Sequence, residues 1–244
     1  MKKYLFLIAL LTILSIPTAS AQFTDVEQTH SYYNAINWLQ TQGVVEGYDD
    51  GTFKADQNVN RAEFLKMLYE SAGTLPDASV VTINFPDVPA NEWYTKYVKI
   101  GYDHNVVEGY PDGYFRPENP INRAEALKIV TSQFFTNEPD LYFNELTEVE
   151  KLSVEGCEED GHFLSDVEAY SWYEQYFFFA HSKCLIPGTM IEDLAPPSDD
   201  LIMPDKLLTR GEMAELLYRT KSLSDSGQDK YDASMQPNDL GSLQ

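Results

Sequence analysis

Basic residues are scarce in this sequence. Lysine and arginine number 17 in 244 residues, against 39 aspartates and glutamates, for a formal net charge of −22. A field of that sign opposes nucleic acid and anionic membranes, so an anionic ligand must be held by local cations against a global repulsion. Cysteine is scarcer: there are two, Cys157 and Cys184. They form no C-x-x-C pair, which leaves little for a zinc or dithiol reading. No segment after the first residues approaches the run of about 20 apolar residues that spans a bilayer. There is no nucleophile elbow, no phosphate-binding glycine loop and no D-x-[DN]-x-[DN]-G calcium loop. No metal or cofactor is implied, and a binding protein is a more economical reading than an enzyme.

What is present begins with a leader. Lys2 and Lys3 precede the apolar run Tyr4 to Ile16, and Ala19-Ser20-Ala21 is a small-x-small cleavage site. Residues 1–21 therefore read as a secretory signal, with no membrane insertion after its removal at Gln22. No cysteine at the cleavage point offers a lipid anchor, and the C-terminus carries no sorting motif for covalent wall attachment. In an exported chain a Cys157–Cys184 disulfide is expected, with two buried thiols as the alternative.

Sliding the sequence by 62 residues superposes 23–69 on 85–131 without a gap, and 18 of the 47 positions are identical. Self-similarity at such a period marks a repeated supersecondary unit. The shared pieces are F-x-D-V, VVEGY and NRAE-x-LK. A third, degraded copy carries LSDV at 164–167, SWYEQY at 171–176, CLIPG at 184–188 and LTRGE at 208–212. Between its Gly188 and Pro204 lie eight more residues than between Gly109 and Pro117, and the Asp-Gly turn is missing. The four histidines fall at no equivalent positions. The expected organisation is repeat 1 at 22–76, repeat 2 at 77–135, an acidic insertion at 136–162, a divergent repeat 3 at 163–221 and a disordered tail at 222–244, which lacks apolar periodicity.

Each unit reads as helix, turn-rich loop, helix. Tyr32, Ala35, Ile36 and Leu39 are spaced as one helical face, as are Tyr94, Tyr97 and Val98. Gly43 and Asn105 can end these helices in a left-handed cap. Asn60-x-x-Glu63, Asn122-x-x-Glu125 and Thr209-x-x-Glu212 have capping-box spacing. One helix pair of this length cannot bury both apolar faces alone, whereas three around a shared axis can.

The capping boxes place Arg61, Arg123 and Arg210 at the first helical residue. A cation there meets the positive end of the helix dipole at a cost of a few tenths of a kcal/mol. Two explanations stand. An ion pair with the aspartate of F-x-D-V or of the Asp-Gly turn would account for each arginine. Alternatively, the guanidinium and the free N–H groups of the helix start together grip a carboxylate. The aromatics divide similarly. Tyr32, Tyr94 and Tyr97 suit the core, while Tyr48, Tyr110, Trp93 and Trp172 suit either the core or stacking on a sugar ring. Gly47 and Gly109 read as turn glycines, and Asp50 and Asp112 as hydrogen-bonded within their own turns.

These motifs together resemble the S-layer homology family, whose domains carry F-x-D-V, then G-Y-x-D-G-x-F-x-P, then I-T-R-A-E. The resemblance implies an all-α fold of three tandem helix–loop–helix repeats packed as a pseudo-threefold spindle. It implies an exported protein of the cell surface, held noncovalently to a wall polysaccharide that often carries ketal-linked pyruvate. Another envelope protein is a further partner it allows. The motif arginine carries over to Arg61, Arg123 and Arg210 in grooves between repeats. The glycine–aspartate turn carries over to Gly47, Asp50 and Gly51, and to Gly109, Asp112 and Gly113. Asn60 and Asn122 replace the usual threonine, Gly211 replaces the usual alanine, and the third turn is altered, so one or two competent grooves are expected. Arg123→Ala is expected to weaken glycan binding at little cost in stability. A structural or protein-interaction module that has lost glycan binding is the alternative.

Overall fold

The computed structural model describes residues 23–74, 83–136, 166–186 and 201–240, with Pro139, Asn144 and Met190. The signal segment, most of the acidic insertion and Cys157 lie outside these residues. Among the described residues the regular structure is helical: α1 (Tyr33–Thr41), α2 (Arg61–Ser71), α3 (Thr95–Asp103), α4 (Arg123–Phe135), α5 (Glu174–Ser182) and α6 (Arg210–Ser226). There are no strands there beyond three isolated bridges. No helix there is long and apolar enough to cross a membrane.

Local chemistry sets these boundaries. Asn60, Asn122 and Thr209 each accept a hydrogen bond from the backbone three residues on, and Glu63, Glu125 and Glu212 reach back, completing three capping boxes. Helices α1 and α3 end at Gly43 (φ +73°) and Asn105 (φ +58°), and Cys184 (φ +61°) takes the same place after α5.

The F-x-D-V aspartate ties each unit's opening to its loop. Asp25 accepts from the N–H groups of Phe53 and Lys54, both at 2.7 Å. Asp87 accepts from Phe115 and Arg116 at 2.9 and 2.6 Å. Asp166 does the same for Ile202 and Met203 at 2.9 and 2.6 Å. In all three units the second residue has a left-handed backbone, with Lys54, Arg116 and Met203 at φ +59°, +59° and +51°. That conformation costs a non-glycine residue about 1–3 kcal/mol. Two hydrogen bonds to one carboxylate offset it.

The units are joined at their centre. Val59 N–H donates to Leu208 O (3.0 Å), Leu208 to Ile121 O (2.9 Å) and Ile121 to Val59 O (3.1 Å), a closed cycle of three. All three side chains are fully buried. Around this cycle the second helix of each unit packs on the first helix of the next: α2 on α3, α4 on α5 and α6 on α1. A single apolar core runs through all three units. Phe53, Phe64, Phe115, Phe177 and Phe179 are buried in it, each contributing about 1.5–3 kcal/mol. The copies are therefore not separate beads.

One stretch departs from expectation. Helix α6 runs to Ser226, and residues 227–240 return to the bundle rather than trailing as a disordered tail. Tyr231 N–H donates to Lys183 O, Leu240 N–H donates to Gln42 Oε1, and Gln42 Nε2 donates to Asp239 Oδ1. Arg219 stacks on the Tyr231 ring. Tyr231 and Leu240 pack on the core nine residues apart, a spacing with neither helical nor strand period. Composition alone therefore gave no sign of them.

Candidate functional site

Helix starts present N–H groups, and in this molecule they are already engaged. Arg61 and Ala62 N–H donate to Asn119 O and Pro117 O, both at 2.9 Å. Arg123 and Ala124 donate to Lys206 O and Pro204 O, both at 3.0 Å. Arg210 and Gly211 donate to Gln57 O and Ala55 O, both at 2.8 Å. Each helix start is thus plugged by the loop of the next unit, and the expected pairing of free N–H groups with an anion does not hold. The plug is tight at Gly211, where a Cβ would lie 2.4 Å from the Tyr32 ring. That contact accounts for glycine where the other units have alanine.

What remains is the arginine side chain, which crosses into the next unit in all three copies. Arg61 donates from Nε to Phe115 O at 3.1 Å, and Arg210 donates from Nε to Phe53 O at 2.9 Å. These two arginines floor two equivalent grooves. The first, of about 560 Å³, is lined by Arg61, Gly109, Tyr110, Glu125, Lys128 and Trp172 among others. The second, of about 380 Å³, is lined by Arg210, Gly47, Tyr48, Glu63, Lys66 and Trp93 among others. All three units contribute to each groove: one gives the arginine, the next the loop and second helix, the third the tryptophan. Trp93 is 49% exposed and Trp172 54% exposed, so both offer an indole face to the groove. Neither tryptophan takes the core reading, since both are half exposed and line a groove.

The tyrosines stand among cations. Tyr110 lies between the guanidinium groups of Arg61 (4.9 Å) and Arg116 (4.4 Å), and Tyr48 between Arg210 (5.1 Å) and Lys54 (3.9 Å). Lys128 Nζ stands farther off, 5.8 Å from the centre of the Trp172 ring, so the tyrosine rings are the more closely covered by cations. Tyr110 Oη also donates to Glu125 Oε1 at 2.6 Å, and burial, then that bond, push its pKa up to about 12. Asp50 and Asp112 do not line the grooves. Asp50 accepts from Thr52 N (3.1 Å), and Asp112 accepts from Tyr114 N (3.2 Å) and from Arg116 Nη2 (2.5 Å). They hold their own turns, as expected. Gly47 and Gly109 let the loop close on the F-x-D-V phenylalanine: a Cβ on either would lie 2.3 Å from Phe23 or Phe85.

The third arginine differs. Arg123 is 0% exposed. It donates from Nη1 to Met190 O (2.8 Å) and Ile202 O (2.6 Å), and from Nη2 to Glu212 Oε1 (2.5 Å). Met190 belongs to the lengthened third loop, and its carbonyl takes up one of the guanidinium N–H groups. Arg123 is therefore a buried ion-paired clamp between repeats 2 and 3, and the expectation of a ligand arginine there is withdrawn. Its partner was also unforeseen. The carboxylate is the capping-box glutamate of the next unit, as it is for Arg61 and Glu125 (3.2 Å), not an aspartate of F-x-D-V or of a turn. Sequence spacing could not reveal it, because the pair forms between units. Cys184 is buried, whereas Cys157 is not described, and their bridge remains a proposal.

Comparison with known proteins agrees with this geometry. The chain is 36% identical over 124 residues to Cell surface glycoprotein 1 of Acetivibrio thermocellus, covering 46% of this chain and 5% of that one. It is 32% identical over 115 residues to the Cellulosome-anchoring protein of the same organism, covering 46% and 26%. It is 32% identical over 97 residues to a Surface layer protein of Brevibacillus choshinensis, covering 39% and 9%. The chain thus matches only a minor part of each of these relatives. The S-layer homology domain model matches residues 22–65 and 84–127. Those are the first two units, including Arg61 and Arg123, and each of them is matched as an S-layer homology domain.

Proposed function

We propose that this protein anchors noncovalently at the cell surface by binding an anionic, pyruvate-bearing wall polysaccharide in the two grooves floored by Arg61 and Arg210. The observation that carries the reading is the repeated constellation itself. Each groove sets a buried guanidinium opposite a half-exposed tryptophan, a cation for an acidic substituent and an apolar face for a sugar ring. The two matched domains and the names of the relatives, cell-surface, anchoring and surface-layer proteins, support an envelope location and an anchoring role without catalysis. Two weak grooves on one polymer also reinforce each other, by factors of about 10²–10⁴ where the spacing lets both engage.

Co-sedimentation with purified wall polysaccharide tests the reading. The wild-type chain should pellet with it, and a Trp93→Ala/Trp172→Ala double variant should stay in solution while melting normally. The closed Arg123 position favours a second reading, an interaction module in which glycan binding has been lost. Wild-type protein that stays in solution at every ionic strength would select it.

A further inference from the structure

The two grooves carry the same residue types, yet their carboxylates stand differently. In the Arg61 groove Glu125 caps its helix through Oε2 and is engaged twice more. Its Oε1 accepts from Tyr110 Oη at 2.6 Å and lies 3.2 Å from Arg61 Nη1. The protein's own carboxylate thus fills the place that an acidic substituent of a ligand would take. In the Arg210 groove Glu63 is held by its capping box, its Oε2 accepting from Asn60 N at 3.2 Å. It makes no ion pair with Arg210 and takes no hydrogen bond from Tyr48 Oη. Among the described residues the Arg210 side chain donates one hydrogen bond, from Nε, and has no carboxylate at ion-pair distance. The guanidinium tips of Arg210 and the Tyr48 hydroxyl are both open to a ligand.

The rest of the Arg61 groove is suited to an uncharged ring. Lys128 pairs with Glu108 at 3.7 Å. Ser171 Oγ lies against the groove without a partner among the described residues, ready to exchange hydrogen bonds with a sugar hydroxyl. Beside it Tyr170 is 92% exposed on a left-handed backbone, φ +62°, its N–H held by Glu174 Oε2 at 2.7 Å. Tyr170 thus precedes the groove residues Ser171 and Trp172 with its ring in solvent, free to extend the aromatic surface toward a longer ligand. The equivalent position beside Trp93 is Asn91.

We propose that the grooves divide the ligand between them: the Arg210 groove takes a carboxylate-bearing sugar, and the Arg61 groove, neutralised by Glu125, takes an uncharged sugar by stacking on Trp172 and Tyr170. This rests on the polysaccharide-binding reading above and narrows it, since charge is then read in one groove rather than two.

The test uses the full chain and two probes: wall polysaccharide as purified, and the same material with its carboxylates converted to amides. Trp172→Ala leaves the Arg210 groove, and its binding should fall about tenfold on amidation and weaken with salt. Trp93→Ala leaves the Arg61 groove, and its affinity for the two probes should agree within about twofold. Adding Glu125→Gln to Trp93→Ala keeps the capping geometry and frees Arg61. That variant should gain about fivefold for the native over the amidated probe. Tyr170→Ala should weaken the Trp93→Ala variant and leave the Trp172→Ala variant unchanged. Equal losses on amidation in both single-groove variants, or no gain from Glu125→Gln, would overturn the division while leaving polysaccharide binding intact. Wild-type protein that binds neither probe would overturn the binding reading itself.

Discussion

The same arginine, at the same position of the same capping box, ends in two kinds of surroundings. Arg61 and Arg210 lie on groove floors opposite exposed tryptophans, whereas Arg123 is sealed between two carbonyls and Glu212. The difference does not come from the arginine or from its helix. It comes from the loop of the next unit. Beside the short loops with their Asp-Gly turns the arginine lines a groove, whereas in the third unit Met190 O and Ile202 O take up its N–H groups. A repeat thus supplies a position, and its neighbour decides whether that position binds or braces.

The largest expected effect breaks or sustains this comparison directly. Arg123→Ala leaves Glu212 buried without its cation and two carbonyls without a donor, at a cost of about 3–5 kcal/mol. Arg210→Ala removes no ion pair and should cost markedly less. Chemical denaturation of both variants would decide it, and equal losses would mean that the three arginines are equivalent after all. Next in size is Gly109→Ala, whose added methyl meets Phe85. It should cost about 1–3 kcal/mol, read as a lower denaturation midpoint. Trp93→Ala and Trp172→Ala sharpen the comparison from the other side. Each exposed indole should cost under about 1 kcal/mol of stability yet about tenfold in polysaccharide binding.

The repeats, the capping boxes and the left-handed ends at Gly43 and Asn105 were legible in the sequence, because each is a short-range pattern with its own local chemistry. The pairing of α2 with α3, α4 with α5 and α6 with α1 was not, since nothing in a repeat says which neighbour its second helix will meet. The site was half legible for the same reason. The arginines and tryptophans stood out by recurrence. The role of Glu125 and Glu212 did not, because both already had a local task at N3 of the capping box, and their second task lies in contacts with the preceding unit. Tyr48 and Tyr110 suited either core or sugar contact in the sequence, and the cations over their rings come from residues that spacing does not place there.

The smallest effect concerns the turns. Hydrogen bonding, chiefly from the Thr52 side chain to Asp50 and from the Tyr114 backbone to Asp112, holds both carboxyls below the usual carboxylate range. A depressed folded pKa contributes stability above the unfolded value of about 3.9, and that contribution is lost as pH falls through the folded value. Asp112→Asn should therefore be slightly less stable than wild type at neutral pH, with the difference shrinking below about pH 4. An acid titration of both melts checks the sign, and a difference that grew on acidification would assign Asp112 another role.

The central claim is that two grooves are open and one is closed, and counting sites tests it most directly. Calorimetric titration with a short wall-polysaccharide fragment, too small to bridge grooves, should give two sites on the wild-type chain and one on each tryptophan variant. A third site, or binding that survives removal of both tryptophans, would contradict the account.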